Sequence, residues 1–252
     1  MTTTENTTFP ATVASALRED AARPLVTFYD DATGERIELS VTTYANWVAK
    51  TASLLQDELD VERGARVLVD LPTHWLGAVW LGACWTIGAA ITTDVGEEPT
   101  VDLVVCGPDA PRRYAVQAPG TAVVALSLRP LGGRFTEPLP EGVLDYGAVV
   151  LAQPDAFVAY DPVAADDAAW ERGGGALSQR DLLREAAERP LLERHGRLLT
   201  DLNPCSPEGV NTLLSPLLLG GGAVWVANPD PATWQRRYDE ERATAQLRTA
   251  PS

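Results

Sequence analysis

The chain has 252 residues, 45% hydrophobic and 22% charged, a globular composition long enough for one large domain or two small ones. Its formal net charge of −15, from 20 basic and 35 acidic residues, excludes the basic face that nucleic acid or an anionic membrane surface requires. Lys50 is the only lysine, so a mechanism that needs a catalytic lysine must use it or borrow one from another chain.

Residues 1–8 are polar and lack the basic and apolar regions of a signal peptide. Residues 25–29 and 36–39 are short β-like runs separated by Asp30-Asp31-Ala32-Thr33-Gly34, which predicts a hairpin. Ser40 is a good N-cap for a helix whose apolar face carries Tyr44, Trp47, Val48, Thr51, Leu54, Leu55 and Leu59. Residues 66–71 predict a buried strand. Trp75, Val79, Cys84 and Trp85 then mark a helix containing three glycines, too short and too interrupted to span a bilayer. Residues 101–106 and 122–128 are strand candidates rich in β-branched residues, and 130–145 reads as loop. Apolar runs return at 148–151 and 157–160. Residues 177–187 predict a helix capped by Ser178, residues 211–219 a helix bent at Pro216, residues 223–227 a strand and residues 234–247 a charged closing helix. Strands alternating with helices predict an α/β layered sandwich, its sheet largely parallel and flanked by helices.

Four stretches resemble the N-terminal half of the adenylate-forming superfamily, which includes acyl-CoA synthetases, adenylation domains and firefly-type luciferases. Ser40-Val41-Thr42-Thr43-Tyr44 is similar to the opening of its first long helix. Gly64-Ala65-Arg66-Val67 through Leu71-Pro72, followed by Leu81-Gly82-Ala83 through Gly88-Ala89-Ala90, resembles "GDRVAxxLPN … LGALKAGA". Ala176-Leu177-Ser178-Gln179-Arg180-Asp181-Leu182-Leu183 resembles "VxLSHRNLL", the helix after the phosphate loop. Leu213-Leu214-Ser215-Pro216-Leu217 through Val224 resembles "LLxPLLxGAxVV". Together they cover 25–239 with gaps. The length, acidity and alanine/arginine bias also resemble a group of short actinobacterial proteins. On this resemblance, residues 1–20 are an N-terminal extension with a possible short helix, 21–240 a truncated adenylate-forming-like domain and 241–252 a C-terminal tail.

The resemblance breaks where ATP would be held. In the family a strand ending in Tyr runs into a loop of the type TSGTTGxPKG, whose glycines, hydroxyls and lysine cradle phosphate oxygens. Phe157-Val158-Ala159-Tyr160 is similar to that strand, and Asp161, Pro162, Val163, Ala164, Ala165 and Asp166 then occupy the loop positions without those groups. Pro162 removes an amide donor. A carboxylate about 4 Å from a phosphate costs roughly 4 kcal/mol at an effective dielectric near 20, which a magnesium ion would partly offset. Gly173-Gly174-Gly175 reads as a flexible turn rather than an anion nest. Asn203-Pro204-Cys205-Ser206-Pro207-Glu208-Gly209 stands where the family has its "PLFH" type segment and lacks the ring, and the "YGxTE" motif and catalytic-lysine lid have no counterpart here.

No other constellation carries chemistry. His74 and His195 have no nucleophile or ligand partner at motif spacing, and Ser178 lacks a G-x-S-x-G elbow. Asp166, Asp167 and Glu171 read as solvated acids rather than a cation site. Cys84, Cys106 and Cys205 are odd in number and widely spaced, which predicts buried thiols in a reducing cytoplasm. The expectation is an inactive pseudo-adenylation domain with no catalytic residue, metal or cofactor. It would bind a protein partner or an apolar small ligand, or form a homo-oligomer, without nucleic acid or membrane. The alternative is an incomplete AMP-binding or acyl-activating enzyme that needs a partner chain.

Overall fold

The computed structural model describes residues 7–94, 100–118 and 120–249. In chain order the elements are α1 (Phe9–Asp20), β1 (Pro24–Asp30), β2 (Glu35–Ser40), α2 (Val41–Ser53), β3 (Arg66–Asp70), α3 (Trp75–Ile87), β4 (Ala90–Thr92) and β5 (Leu103–Cys106). There follow α4 (Pro111–Gln117), β6 (Ala122–Ala125), β7 (Val143–Asp145), α5 (Tyr146–Val149), β8 (Ala168–Arg172), β9 (Gly175–Ser178) and α6 (Gln179–Glu188). The chain closes with β10 (Arg197–Thr200), α7 (Asn211–Leu218), β11 (Gly222–Ala227), α8 (Pro231–Glu240) and β12 (Ala245–Leu247).

The α/β class and the largely parallel pairing are as expected, with two sheets in two compact units where the sequence suggests one domain. The first unit comprises Met1–Ala45, Thr73–Ala78 and Arg180–Ser252. Its sheet has the order β12-β10-β11-β1-β2, parallel except for the β1–β2 hairpin. Leu25 to Phe28 of β1 are all buried, as are Gly222 to Val226 of β11, the continuous apolar pattern of strands covered on both faces. Trp225 lies in this core and donates from Nε1 to Thr212 Oγ1 at 2.8 Å, so its one polar group is satisfied. The Arg237 guanidinium forks onto Asp31 at 2.6 and 3.1 Å, with both side chains 9% exposed, and ties α8 to the β1–β2 turn.

The short helix allowed for in the N-terminal extension is α1, capped by Thr8 and lying against α7. Two local expectations change here. The closing helix starts at Pro231, pre-set for a first-turn position, with Asp230 as its cap, and ends at Glu240 before Arg242 turns left-handed at φ 51°. The segment expected as tail supplies the edge strand β12, paired with β10.

The second unit comprises Asn46–Pro72 and Val79–Gln179. Its sheet has the order β7-β6-β5-β3-β4-β8-β9, parallel except for β8–β9. Leu68, Val104, Tyr114, Val123 and Ala125 form one side of its core beneath α4. The helical face predicted to run to Leu59 ends differently. Leu59 N bonds Leu54 O, so residues Leu54–Glu58 form a π turn that carries Gln56 and Asp57 outward.

Every residue of α3 except Thr86 is buried, the pattern of a helix apolar on all sides. Its first turn belongs to the first unit, where a Cβ at Gly77 would lie 2.6 Å from Cys205 Sγ. The glycine is needed there for close approach. Gly77→Ala is expected to lower stability by about 1–3 kcal/mol. The double variant Gly77→Ala/Cys205→Ala should recover most of that loss. Urea unfolding of the wild type, both single variants and the double variant measures the coupling.

Candidate functional site

Residues 157–160, expected as the strand entering the phosphate loop, join no sheet. They lie within an irregular strap, 153–167, fastened by side chains to residues 50–63. Lys50 bonds the Gln153 carbonyl and pairs with Asp155 at 3.1 Å, and Gln153 donates to Glu58. The Gln56 carboxamide accepts from Tyr160 N at 2.9 Å and donates to Val158 O at 3.3 Å. Tyr160 OH donates to Asp57 at 2.9 Å. Arg63 forks onto Asp167 with two bonds of 2.7 Å and reaches Asp161 at 3.1 Å. Those Arg63 bonds hold the Asp167 carboxyl below the usual carboxylate range, against the opposing effect of burial. Asp167 also accepts from Ala164 N at 2.7 Å and closes the turn. The chain's only lysine is therefore engaged with its own strap.

Strand direction places this strap. Arg66 of β3 pairs with Ala90 of β4, and Ile91 of β4 with Trp170 of β8, all parallel. Arg63 precedes β3, Gly88 precedes β4 and Asp167 precedes β8, so Asp161, Pro162, Val163, Ala164, Ala165 and Asp166 sit at the amino ends of the strands. A cleft of about 430 Å³ opens here, lined by Gln56, Asp60, Glu62, Arg63, Ile87 and Tyr160 among others. Ligands of parallel α/β sheets bind at the opposite, carboxyl ends.

What β8 delivers to the carboxyl end is Gly173-Gly174. Arg172 pairs with Gly175 across the β8–β9 hairpin, so the loop has two residues. Both glycines have positive φ, 56° and 87°, as a type I′ turn demands. Nothing lies within 4 Å of a Cβ added to either, so the conformation, not crowding, requires glycine. The segment that resembles "VxLSHRNLL" follows directly, with Ser178 just before α6. The strand preceding that segment is thus Ala168–Arg172, not 157–160. The sequence carried the signal, a Gly-Gly pair between two short β-like runs.

Glu171 is held by Arg66 at 2.6 and 2.9 Å and Asp167 by Arg63, so these acids are paired with arginine rather than solvated. Among the described residues, no group of three or more His, Cys, Asp or Glu side chains could hold a metal ion. The three cysteines are buried outside any disulfide. His195 occupies an exposed turn at φ 59°. His74 is 3% exposed and caps α3, its Nδ1 accepting from Leu76 N at 3.2 Å, with the Phe28 ring centroid 4.7 Å away. Its Nε2 has no hydrogen-bond partner among the described residues. Burial pushes its pKa down to about 3, against a weak opposing pull from Asp30.

No protein-family model matches the chain. A protein of Mycobacterium tuberculosis described as a TIGR03089 family protein is 40% identical over 255 residues, spanning 97% of this chain and 100% of its own length. The chain belongs to the TIGR03089 family. A Brucella canis acyl-CoA synthetase superposes with a TM-score of 0.76 at 19% identity, covering 94% of this chain and 47% of the synthetase. Acetoacetyl-CoA synthetase from Streptomyces lividans superposes with a TM-score of 0.77 at 20% identity, covering 96% and 42%. The fold is that of the N-terminal subdomain of adenylate-forming enzymes, and this TIGR03089 family chain spans roughly half the length of those structures. Among its described residues no helix is long and apolar enough to cross a membrane.

Within this TIGR03089 family fold, His74 makes stability depend on pH. Its folded pKa of about 3 lies below the ordinary 6.5, so its contribution is complete above pH 6.5 and is lost as the pH falls toward 3. By pH 4 the loss from this one ring is on the order of 3 kcal/mol. His74→Asn keeps an acceptor for Leu76 N and removes the titration. Thermal unfolding between pH 4 and pH 7 should be flatter for the variant than for the wild type.

Proposed function

We propose that this chain is a pseudo-adenylation domain, an adenylate-forming fold that serves as a binding protein and does not activate acids with ATP. The supporting observation is the two-residue turn Gly173-Gly174. A ten-residue loop of the TSGTTGxPKG type can surround a phosphate with amides and hydroxyls, whereas a type I′ turn offers two exposed glycines and no hydroxyl. The carboxyl end of β8 then lacks the hydroxyls and the lysine of such a loop and retains Arg172 as a cation beside the turn. Lys50, paired with Asp155, does not supply the missing charge. This reading places the loss of the phosphate loop at the hairpin tip rather than at Asp161–Pro162–Val163–Ala164–Ala165–Asp166. The partner is then a protein or an apolar small ligand, with no cofactor. The isolated buried cysteines fit a cytoplasmic setting as part of the same proposal.

Calorimetric titration and thermal unfolding with ATP, magnesium and a panel of carboxylic acids test this. Neither binding heat nor pyrophosphate exchange is expected. ATP present at about 100-fold its dissociation constant would add about 2.7 kcal/mol of stability. A shift of that size would make the chain a nucleotide-binding half-enzyme that borrows its catalytic groups from another chain.

A further inference from the structure

The strap at 157–160 is β-prone sequence without a sheet. Phe157 and Ala159 are half-buried, whereas Val158 and Tyr160 are 82% and 81% exposed, a period-two alternation. The Gln56 carboxamide bonds Val158 O and Tyr160 N as a neighbouring strand would. The other main-chain groups of 157–160 make no hydrogen bond among the described residues. Such an edge is a template for a further strand.

The surroundings select the chemistry of that strand. Asp60 and Glu62 line the cleft beside Tyr160 and form no ion pair among the described residues, Asp57 accepts the Tyr160 hydroxyl, and Asp161 and Asp155 are both more than half exposed. Arg63 and Lys50, the cations nearby, are already paired with strap carboxylates. Within the cleft, Val61, Ile87 and Tyr160 offer apolar walls to the stem of a long side chain. A second copy of this chain would bring the same acids against themselves and a further net charge of −15.

We infer that residues 157–160 are the docking edge for an extended, basic segment of a partner protein, which adds a strand on the edge opposite Gln56, along the main chain of Phe157 and Ala159, packs against the exposed Val158 and Tyr160 side chains and sets an arginine or lysine into the cleft at Asp60 and Glu62. The inference rests on reading the chain as a binding protein and gives that reading a partner chemistry.

The test uses the full chain and two fluorescein-labelled peptides, one alternating arginine with valine and one alternating glutamate with valine, followed by fluorescence anisotropy. Saturable binding of the basic peptide alone is expected, weakening as salt rises. The double variant Val158→Ser/Tyr160→Ser alters two exposed side chains and removes one exposed bond, Tyr160 OH to Asp57, so its thermal midpoint should fall little while it loses at least about tenfold in affinity; Val158→Ser alone, which leaves that bond, should weaken binding with no change in midpoint. Asp60→Asn/Glu62→Gln should also weaken binding and reduce its salt dependence. Absence of saturable binding, or equal affinity of the Val158/Tyr160 variant, overturns the inference. Displacement of the peptide by equimolar spermine would make the cleft a small-amine site. Concentration-dependent dimerisation of the wild type, abolished in the Val158/Tyr160 variant, would assign the edge to a second copy. ATP titration of the same samples is scored separately, so a failure of the inactive-domain reading is not mistaken for a failure of docking.

Discussion

The parallel pairing of β4 with β8 is the constraint from which the functional reading descends. A parallel strand has a direction, and pairing Ile91 with Trp170 carries the direction of β3 and β4 over to β8. The segment that enters β8 at Ala168 is thereby assigned to the amino end of the sheet and the segment that leaves it at Arg172 to the carboxyl end. Parallel α/β sheets bind ligands at their carboxyl ends because loops and helix N-termini converge there. In this chain that position at the end of β8 holds a turn of two glycines, the shortest connection that the twist of a hairpin favours.

At the amino ends the determining interaction is the Arg63 fork on Asp167. A chain with 35 acidic and 20 basic residues has few cations to distribute, and here Arg63, Arg66 and Lys50 each hold a carboxylate that belongs to the strap or to β8. Exposed pairs of this kind contribute little stability one at a time. Their effect is positional. Together with Gln56, displaced outward by the π turn, they fix a strap whose residues 157–160 make no main-chain to main-chain bond among the described residues.

Much of the fold was legible. The β1–β2 hairpin followed from turn residues between β-prone runs, α2 from its cap at Ser40 and its apolar spacing, and β3, β5, β6 and β11 from short buried runs. The two-unit division was not legible, because it arises from long-range pairing such as that of β1 with β11, about which local pattern is silent. Residues 157–160 were misread for a physical reason: Phe-Val-Ala-Tyr has strand propensity, but propensity needs a neighbouring strand to become a ladder, and the place beside β4 is taken by Ala168–Arg172. The arginine partners of Asp167 and Glu171 lie more than a hundred residues away in the chain, beyond the reach of any motif spacing.

The first unit is assembled from three separate stretches of chain, and this has a consequence for biosynthesis. As the polypeptide leaves the ribosome, β1 emerges among the first strands, yet its parallel neighbour β11 is nearly two hundred positions downstream. Until then β1 has only the β2 hairpin arm beside it, with Leu25, Val26 and Phe28 uncovered. High contact order of this kind slows folding and leaves apolar strand edges open to holdase chaperones. The second unit closes its sheet by Ser178 and is available to fold while the first is still waiting for its last strands.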